Sequence, residues 1–204
     1  VFNPSDRHID PVASCAYNIL HAKAIPVCSD LYVSPVGDDS NSGLTSSEPL
    51  RSIRMALEKI VADEANPRTI FLEKGNYSES EAFPLAMKSY LTLCGASSAT
   101  TTIDADGMWS VFYVRNVQQA AIQQTTITGG DAHKGGGIYC SGSDLKLEDV
   151  RLSNNTAYEW IHDAYPDPED VGEGGGIYCS NSRLQFENGT IDSNYANGLG
   201  GGIL

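Results

Sequence analysis

The string Gly135-Gly136-Gly137-Ile138-Tyr139-Cys140-Ser141 returns as Gly174-Gly175-Gly176-Ile177-Tyr178-Cys179-Ser180, and Gly200-Gly201-Gly202-Ile203-Leu204 opens a third copy, at offsets of 39 and then 26 residues. Beyond each of the first two copies the match continues, with Leu145, Leu147, Leu152, Asn155 and Ala157 aligning with Leu184, Phe186, Ile191, Asn194 and Ala196. The first unit differs by 13 extra residues within Tyr158 to Glu173, which leaves an underlying period of 26. A step back of 25 puts Ala120, Ile122 and Ile127 on the positions of Leu145, Leu147 and Leu152, so the period reaches upstream of the glycine strings. A fixed period of this length marks a solenoid, in which each unit buries its apolar row only against its neighbours.

Within a unit the apolar residues alternate over short runs, as in Leu145-Lys146-Leu147 and Leu184-Gln185-Phe186. That is the period of a strand and too short a run for a helix. Stacked coils of short strands at a spacing of about 4.8 Å form one continuous apolar column. Cys140 and Cys179 then fall on equivalent positions and suit stacked free thiols better than a bridge, because their side chains run side by side. Asn155 and Asn194 are likewise equivalent, and an Asn at a coil corner can take a left-handed turn and hydrogen-bond the next copy.

Upstream the period changes. Ile53, Ala56, Leu57, Ile60 and Val61 fall at helical spacing, with Ser47 as the expected N-cap and entry through Glu48-Pro49. An amphipathic helix here would cover the apolar column and the open strand edges of the first coil. Thr69 to Leu72, Leu91 to Cys94 and Thr102 to Asp104 read as strands of the first coils, separated by glycines. The expected organisation is an N-terminal extension or linker over 1–30, a cap strand and amphipathic helix over 31–67, and coils over 68–204. The third glycine copy stops at Leu204, and the expected partners are other subunits or further coils continuing the solenoid there.

The run Leu31-Tyr32-Val33-Ser34-Pro35-Val36-Gly37-Asp38-Asp39-Ser40-Asn41-Ser42-Gly43-Leu44, followed by Pro49-Leu50-Arg51-Ser52-Ile53, resembles the opening of the pectate-lyase-like right-handed parallel β-helix superfamily. The GGGIY units resemble the repeats of polymorphic outer-membrane-protein and adhesin-type surface proteins. These resemblances cover about residues 31–204. They imply an all-β, right-handed parallel β-helix with an N-terminal capping helix. They do not choose an activity, because the superfamily includes lyases, glycosidases, tailspikes, adhesins and structural surface proteins.

A formal net charge of −13 sets the chain's field against phosphate backbones, so nucleic acid is not an expected partner. No apolar run reaches the ~18 residues of a membrane span. The chain opens on Val1, as expected of a processed secreted product or a fragment of a longer chain. Five cysteines occur without zinc-ligand spacing, and Cys15 and Cys28 flank a short segment as a candidate disulfide suited to an oxidising, extracellular compartment. Asn76-Tyr77-Ser78, Asn154-Asn155-Thr156 and Asn188-Gly189-Thr190 are candidate N-glycosylation acceptors.

Two loops carry chemistry. Asp38, Asp39 and Asn41 form an oxygen-rich turn, read either as a calcium site or as an Asx-type turn satisfying local backbone. The insertion Tyr158 to Glu173 sets Tyr158, Trp160, His162 and Tyr165 among Asp163, Asp167 and Asp170. Aromatic faces among carboxylates suit a sugar or a divalent cation, calcium being the one these oxygens would take. Asp104 and Asp106 form a carboxylate pair in a turn. Arg115, Lys134, Lys146, Arg151 and Arg183 do not fall beside a carboxylate cluster, as a calcium-dependent lyase would require. The reading is a non-catalytic extracellular β-helix domain, structural or adhesive, with no required cofactor. The alternatives are a pectate-type polysaccharide lyase fragment and a carbohydrate-binding module that uses the 158–173 insertion.

Overall fold

The structure, a computed structural model, describes residues 25–158 and 171–204. The strands of the described residues form four parallel sheets. The six-stranded face consists of Leu31–Val33, Arg68–Leu72, Leu91–Gly95, Ala120–Gln123, Asp144–Glu148 and Arg183–Glu187. The five-stranded face runs from Gly75–Tyr77 through Thr101–Asp104, Thr126–Thr128 and Arg151–Ser153 to Thr190–Asp192. The four-stranded face contains Leu85–Ala86, Phe112–Arg115, Ile138–Ser141 and Ile177–Ser180, and the three-stranded one Asp131–Ala132, Thr156–Ala157 and Tyr195–Ala196. This is a parallel β-helix.

Register follows the sequence period. Leu145 pairs with both Ala120 and Leu184, Leu147 with Ile122 and Phe186, and Leu152 with Ile127 and Ile191. Ile177 bridges Ile203, which places the third glycine copy one coil on. Alternation puts Leu145 and Leu147 inside and Lys146 outside, and the inward rows join Leu31, Leu93, Ile122, Phe112 and Ile138 in one apolar column. A one-residue slip would turn every such row outward, so the register is fixed by burial.

Left-handed residues turn the corners in vertical rows: Gln124, Asp149 and Asn188; Gly129, Asn154 and Ser193; Asn116, Gly142 and Asn181. Asn155 and Asn194 therefore follow the left-handed residue rather than occupying it, which corrects the expected role. Their side chains do ladder: Asn155 Nδ2 donates to Asn194 Oδ1 at 3.0 Å and to Ile127 O at 3.0 Å, and Gly130 N donates to Asn155 Oδ1 at 3.0 Å. Cys140 and Cys179 are paired in register and free. Burial pushes the Cys140 thiol up to about 11. Cys28 is disulfide-bonded, Cys94 is free, and Cys15 lies outside the described residues.

The helix spans Ile53–Lys59, with Ser52 as its N-cap in place of the expected Ser47. The reason is that Leu50 still bridges Val33 in extended form, so the chain can turn helical only after it. Ser52 Oγ accepts from Met55 N at 3.1 Å, and Glu81 accepts from Ile53 N and Arg54 N at 2.6 and 3.0 Å. Ile53, Ala56 and Leu57 are buried, and the helix packs on Leu31–Val33 and Leu85–Ala86, capping the first coil. Val27 bridges Ile60, so residues just before the cap strand are stitched to the end of the helix.

Candidate functional site

On the four-stranded face Phe112, Val114, Ile138 and Cys140 point inward, which turns Tyr113, Tyr139 and Tyr178 outward. Their register stacks them. Ring centroids are 5.1 Å apart for Tyr113 and Tyr139 and 5.5 Å for Tyr139 and Tyr178, at interplanar angles of 10° and 16°. Lys134 Nζ lies 5.0 Å from the Tyr178 ring centroid and 2.7 Å from Glu173 Oε2. The hydrogen bond to Glu173 raises the Lys134 ammonium above the ordinary lysine value, so it stays charged over the ring.

One coil before Gly135, the same corner is made by Trp109. Phe112 pairs with Ile138, which sets Trp109 on the vertical row of Gly135, Gly174 and Gly200. All four are left-handed, at φ of 48°, 66°, 66° and 64°. A side chain there costs about 1–2 kcal/mol that glycine avoids. Trp109 is also 56% exposed. Left-handed non-glycine residues of this kind concentrate at ligand sites. Beside it an open pocket of about 350 Å³ is lined by Pro84, Trp109, Tyr113, His133, Lys134 and Tyr139. Asp131 N donates to Trp109 O at 3.0 Å, and desolvation raises the Asp131 carboxyl above its usual range.

The insertion starts and returns at this corner. Tyr158, 48% exposed, donates its N–H to Ala132 O at 2.9 Å, and Glu173 donates its N–H to His133 O at 3.0 Å. Trp160, His162, Asp163, Tyr165, Asp167 and Asp170 lie outside the described residues. The two described ends of the insertion, Tyr158 and Glu173, thus lie at this corner, and the sequence reading did not single out Trp109. The signal was available: Trp109-Ser110-Val111-Phe112-Tyr113 sits one 26-residue step before Gly135-Gly136-Gly137-Ile138-Tyr139.

The oxygen-rich turn over Asp38, Asp39 and Asn41 is knitted into the surrounding backbone. Asp38 Oδ1 accepts from Ser40 N at 2.8 Å, and Asp39 accepts from Arg51 N, Ser52 N and Ser52 Oγ, each at 2.9 Å. Asn41 Nδ2 donates to Pro49 O at 2.9 Å. These groups tie the turn to the helix entry, as an Asx-type turn does. Among the described residues no group of three His, Cys, Asp or Glu side chains could hold a metal ion. Asp104 Oδ1 accepts from Asp106 N at 2.9 Å, again a turn. The sequon residues Asn76, Asn154 and Asn188 are all exposed.

A second groove, of about 430 Å³, crosses the five-stranded face along Thr102, Thr126, Arg151 and Thr190. Its charged groups are paired, Ser98 Oγ donating to Asp149 Oδ1 at 3.0 Å and Arg151 gripping Asp192 at 3.1 and 3.2 Å. It offers no aromatic surface.

A family model described as a protein of unknown function (DUF1565) matches residues 35–203. No curated protein matches the chain. Three solved structures resemble it: a pectin methylesterase mutant in complex with a hexasaccharide, at 18% identity and TM-score 0.47 over 80% of this chain and 50% of that one; a pectin methylesterase from Erwinia chrysanthemi, at 16% and 0.45 over 82% and 52%; and a rhamnogalacturonan lyase, at 15% and 0.39 over 82% and 56%. The chain spans about half the length of each of these structures.

Proposed function

The chain belongs to the family described as a protein of unknown function (DUF1565), and on that footing we propose that it is a non-catalytic, extracellular glycan-binding β-helix that adheres through its outward aromatic strip. The observation that carries this reading is Trp109, exposed and left-handed where the rest of its row is glycine. Sugar rings pack on aromatic surface, and polar groups at the rim, here Lys134, Glu173 and Asp131, orient them. The disulfide at Cys28 supports an oxidising compartment. No helix among the described residues is long and apolar enough to cross a membrane.

The lyase alternative needs a base poised for proton abstraction. Lys134, Lys146 and Arg151 are each held by carboxylates: Lys134 by Glu173, Lys146 by Glu148 and Glu187, and Arg151 by Asp192. That pairing sets these three against a proton-abstracting role.

Retention on a panel of insoluble polysaccharides tests the proposal. Trp109→Ala is expected to reduce retention about tenfold or more, the scale of one lost aromatic contact. Tyr195→Ala, which removes a 55% exposed ring from the three-stranded face, is expected to leave it unchanged. Equal retention of parent and Trp109→Ala, with both folded by circular dichroism, would remove the reading.

A further inference from the structure

We propose that Arg115, Tyr113 and Ser141 form an anion subsite beside the aromatic pocket. The glycan then lies along one coil, with an uncharged ring on Trp109 and one carboxylate or sulfate at Arg115. This rests on the glycan-binding reading above and adds the ligand's charge and direction. Direction comes from the chain. Trp109, Tyr113 and Arg115 follow one another on a single coil, Trp109 at its left-handed corner and the other two on the strand Phe112–Arg115. A line from the indole to the guanidinium therefore runs along the strand and across the solenoid axis. Tyr113 lines the pocket that Trp109 borders, and Arg115 stands two residues on, about 7 Å further along the strand. Tyr139, one coil on, lines the same pocket from the side.

Charge comes from which cation is left to take a ligand. Arg115 is exposed, and among the described residues no carboxylate lies within ion-pair distance of it. Its Nη1 reaches the Tyr113 phenol oxygen at 3.5 Å, which leaves the phenol hydrogen to donate outward. Ser141 is the register partner of Arg115 on the next coil, and its Oγ accepts from Ser180 Oγ at 3.2 Å, so its own hydrogen is also left to donate. Guanidinium, phenol and hydroxyl thus form a set of donors suited to an anion. Lys134, the cation lining the pocket, is instead held by Glu173 at 2.7 Å. Asp131 stands beside Trp109, its N–H bonded to Trp109 O, so the corner end of the site carries the opposite sign. The net charge of −13 is spread over the whole chain, and screening over about 8 Å at physiological salt leaves Arg115 to set the field in its own surroundings.

The test is calorimetric titration of the full chain with neutral trisaccharides of cellulose, mannan and galactan type. Each is run beside the same trisaccharide carrying one terminal uronate or one terminal sulfate ester, at low and high salt. In at least one series a singly charged form is expected to bind about tenfold more tightly than its neutral parent, the scale of one charge-assisted hydrogen bond, and to lose most of that margin at high salt. The charged form with the larger margin identifies the anion. Arg115→Ala is expected to bring the charged form down to the level of the neutral parent, and Trp109→Ala to weaken the same charged form, as one molecule spanning both ends requires. A trisaccharide with a uronate on every sugar is expected to bind no more tightly than the singly charged one, because its further acids meet Asp131 and a Lys134 already paired. Neutral parents that bind as tightly as every charged form, or a margin that survives Arg115→Ala, overturn the anion subsite. A charged form that binds independently of Trp109 overturns the direction, and a fully charged trisaccharide about tenfold tighter than the singly charged one overturns the uncharged end. Each of these results leaves glycan binding standing where Trp109→Ala weakens the neutral series. Failure of every trisaccharide, neutral and charged, to bind overturns the binding reading itself.

Discussion

Trp109 occupies the coil corner that Gly135 occupies one turn later, and the two residues share a left-handed backbone, at φ of 48° and 66°. The fold asks for glycine here and has tryptophan. Trp109→Gly removes about 1–2 kcal/mol of left-handed strain while adding about 1 kcal/mol of unfolded-chain entropy. Its stability in urea is therefore expected to stay within about 1 kcal/mol of the parent while glycan retention falls about tenfold or more. Trp109→Val, β-branched at a left-handed position, is expected to be the less stable variant by about 1 kcal/mol or more. A loss of about 3 kcal/mol in the glycine variant would show that Trp109 holds the coil by packing.

Asn155 is fully buried and satisfies Gly130 N, Ile127 O and Asn194 Oδ1 at once. Asn155→Ala leaves Gly130 N without its acceptor and takes a side-chain donor from Ile127 O, both on the preceding coil. Chemical denaturation is expected to show a loss of about 3 kcal/mol, from unsatisfied buried groups worth roughly 1–3 kcal/mol each. A loss below about 1 kcal/mol would mean that solvent reaches this corner.

A Cβ on Gly136 would lie 2.2 Å from Thr156 O and 2.7 Å from Gly175 O, both backbone atoms, the second on the next coil. One on Gly107 would meet nothing within 4 Å and suffer only its φ of 75°. Gly136→Ala is thus expected to lose about 3 kcal/mol or more by overpacking, and Gly107→Ala about 1 kcal/mol by strain. Thermal melts of the two variants separate the mechanisms.

The repeat made the coil length, the register and the Asn155–Asn194 ladder legible, because in a stacked solenoid equal sequence offsets must become vertical neighbours. It hid Trp109 for a physical reason. At that corner the backbone geometry persisted while the glycine that signals it did not. The outward tyrosines were legible as a pattern in GGGIY, but only the observed centroid distances show that they stack. Ser52 displaced Ser47 as the helix cap because the Leu50 bridge to Val33, a tertiary contact, kept the chain extended past the local capping signal. Most of the aromatic insertion lies outside the described residues, so only Tyr158 and the returning Glu173 can be placed at the site.

Burial raises the Glu81 carboxyl above its ordinary 4.5, despite its bonds to the helix N–H groups of Ile53 and Arg54. The folded state then holds a proton that the unfolded chain releases, so this group lowers stability as pH rises from 4.5 to the folded value and leaves it level above. Glu81→Gln keeps an acceptor at the cap and removes the charge. Its stability curve is expected to lack that fall. An unchanged slope in the variant would place the titration elsewhere.

Cys140 is buried with its thiol pushed up to about 11, while Cys94 and Cys179 are partly exposed. With a coloured disulfide reagent at pH 8, Cys140 is expected to react last, and only on unfolding. Early loss of all three thiols at one rate would contradict the inward placement.

The most direct test of the glycan-binding strip is a solution NMR titration of the isotope-labelled chain with the oligosaccharide of highest affinity. The account expects the indole N–H of Trp109 and the ring signals of Tyr113, Tyr139 and Tyr178 to shift together and saturate at one concentration. Shifts confined to the groove of Thr126, Arg151 and Thr190, or none on the tyrosine row, would contradict it.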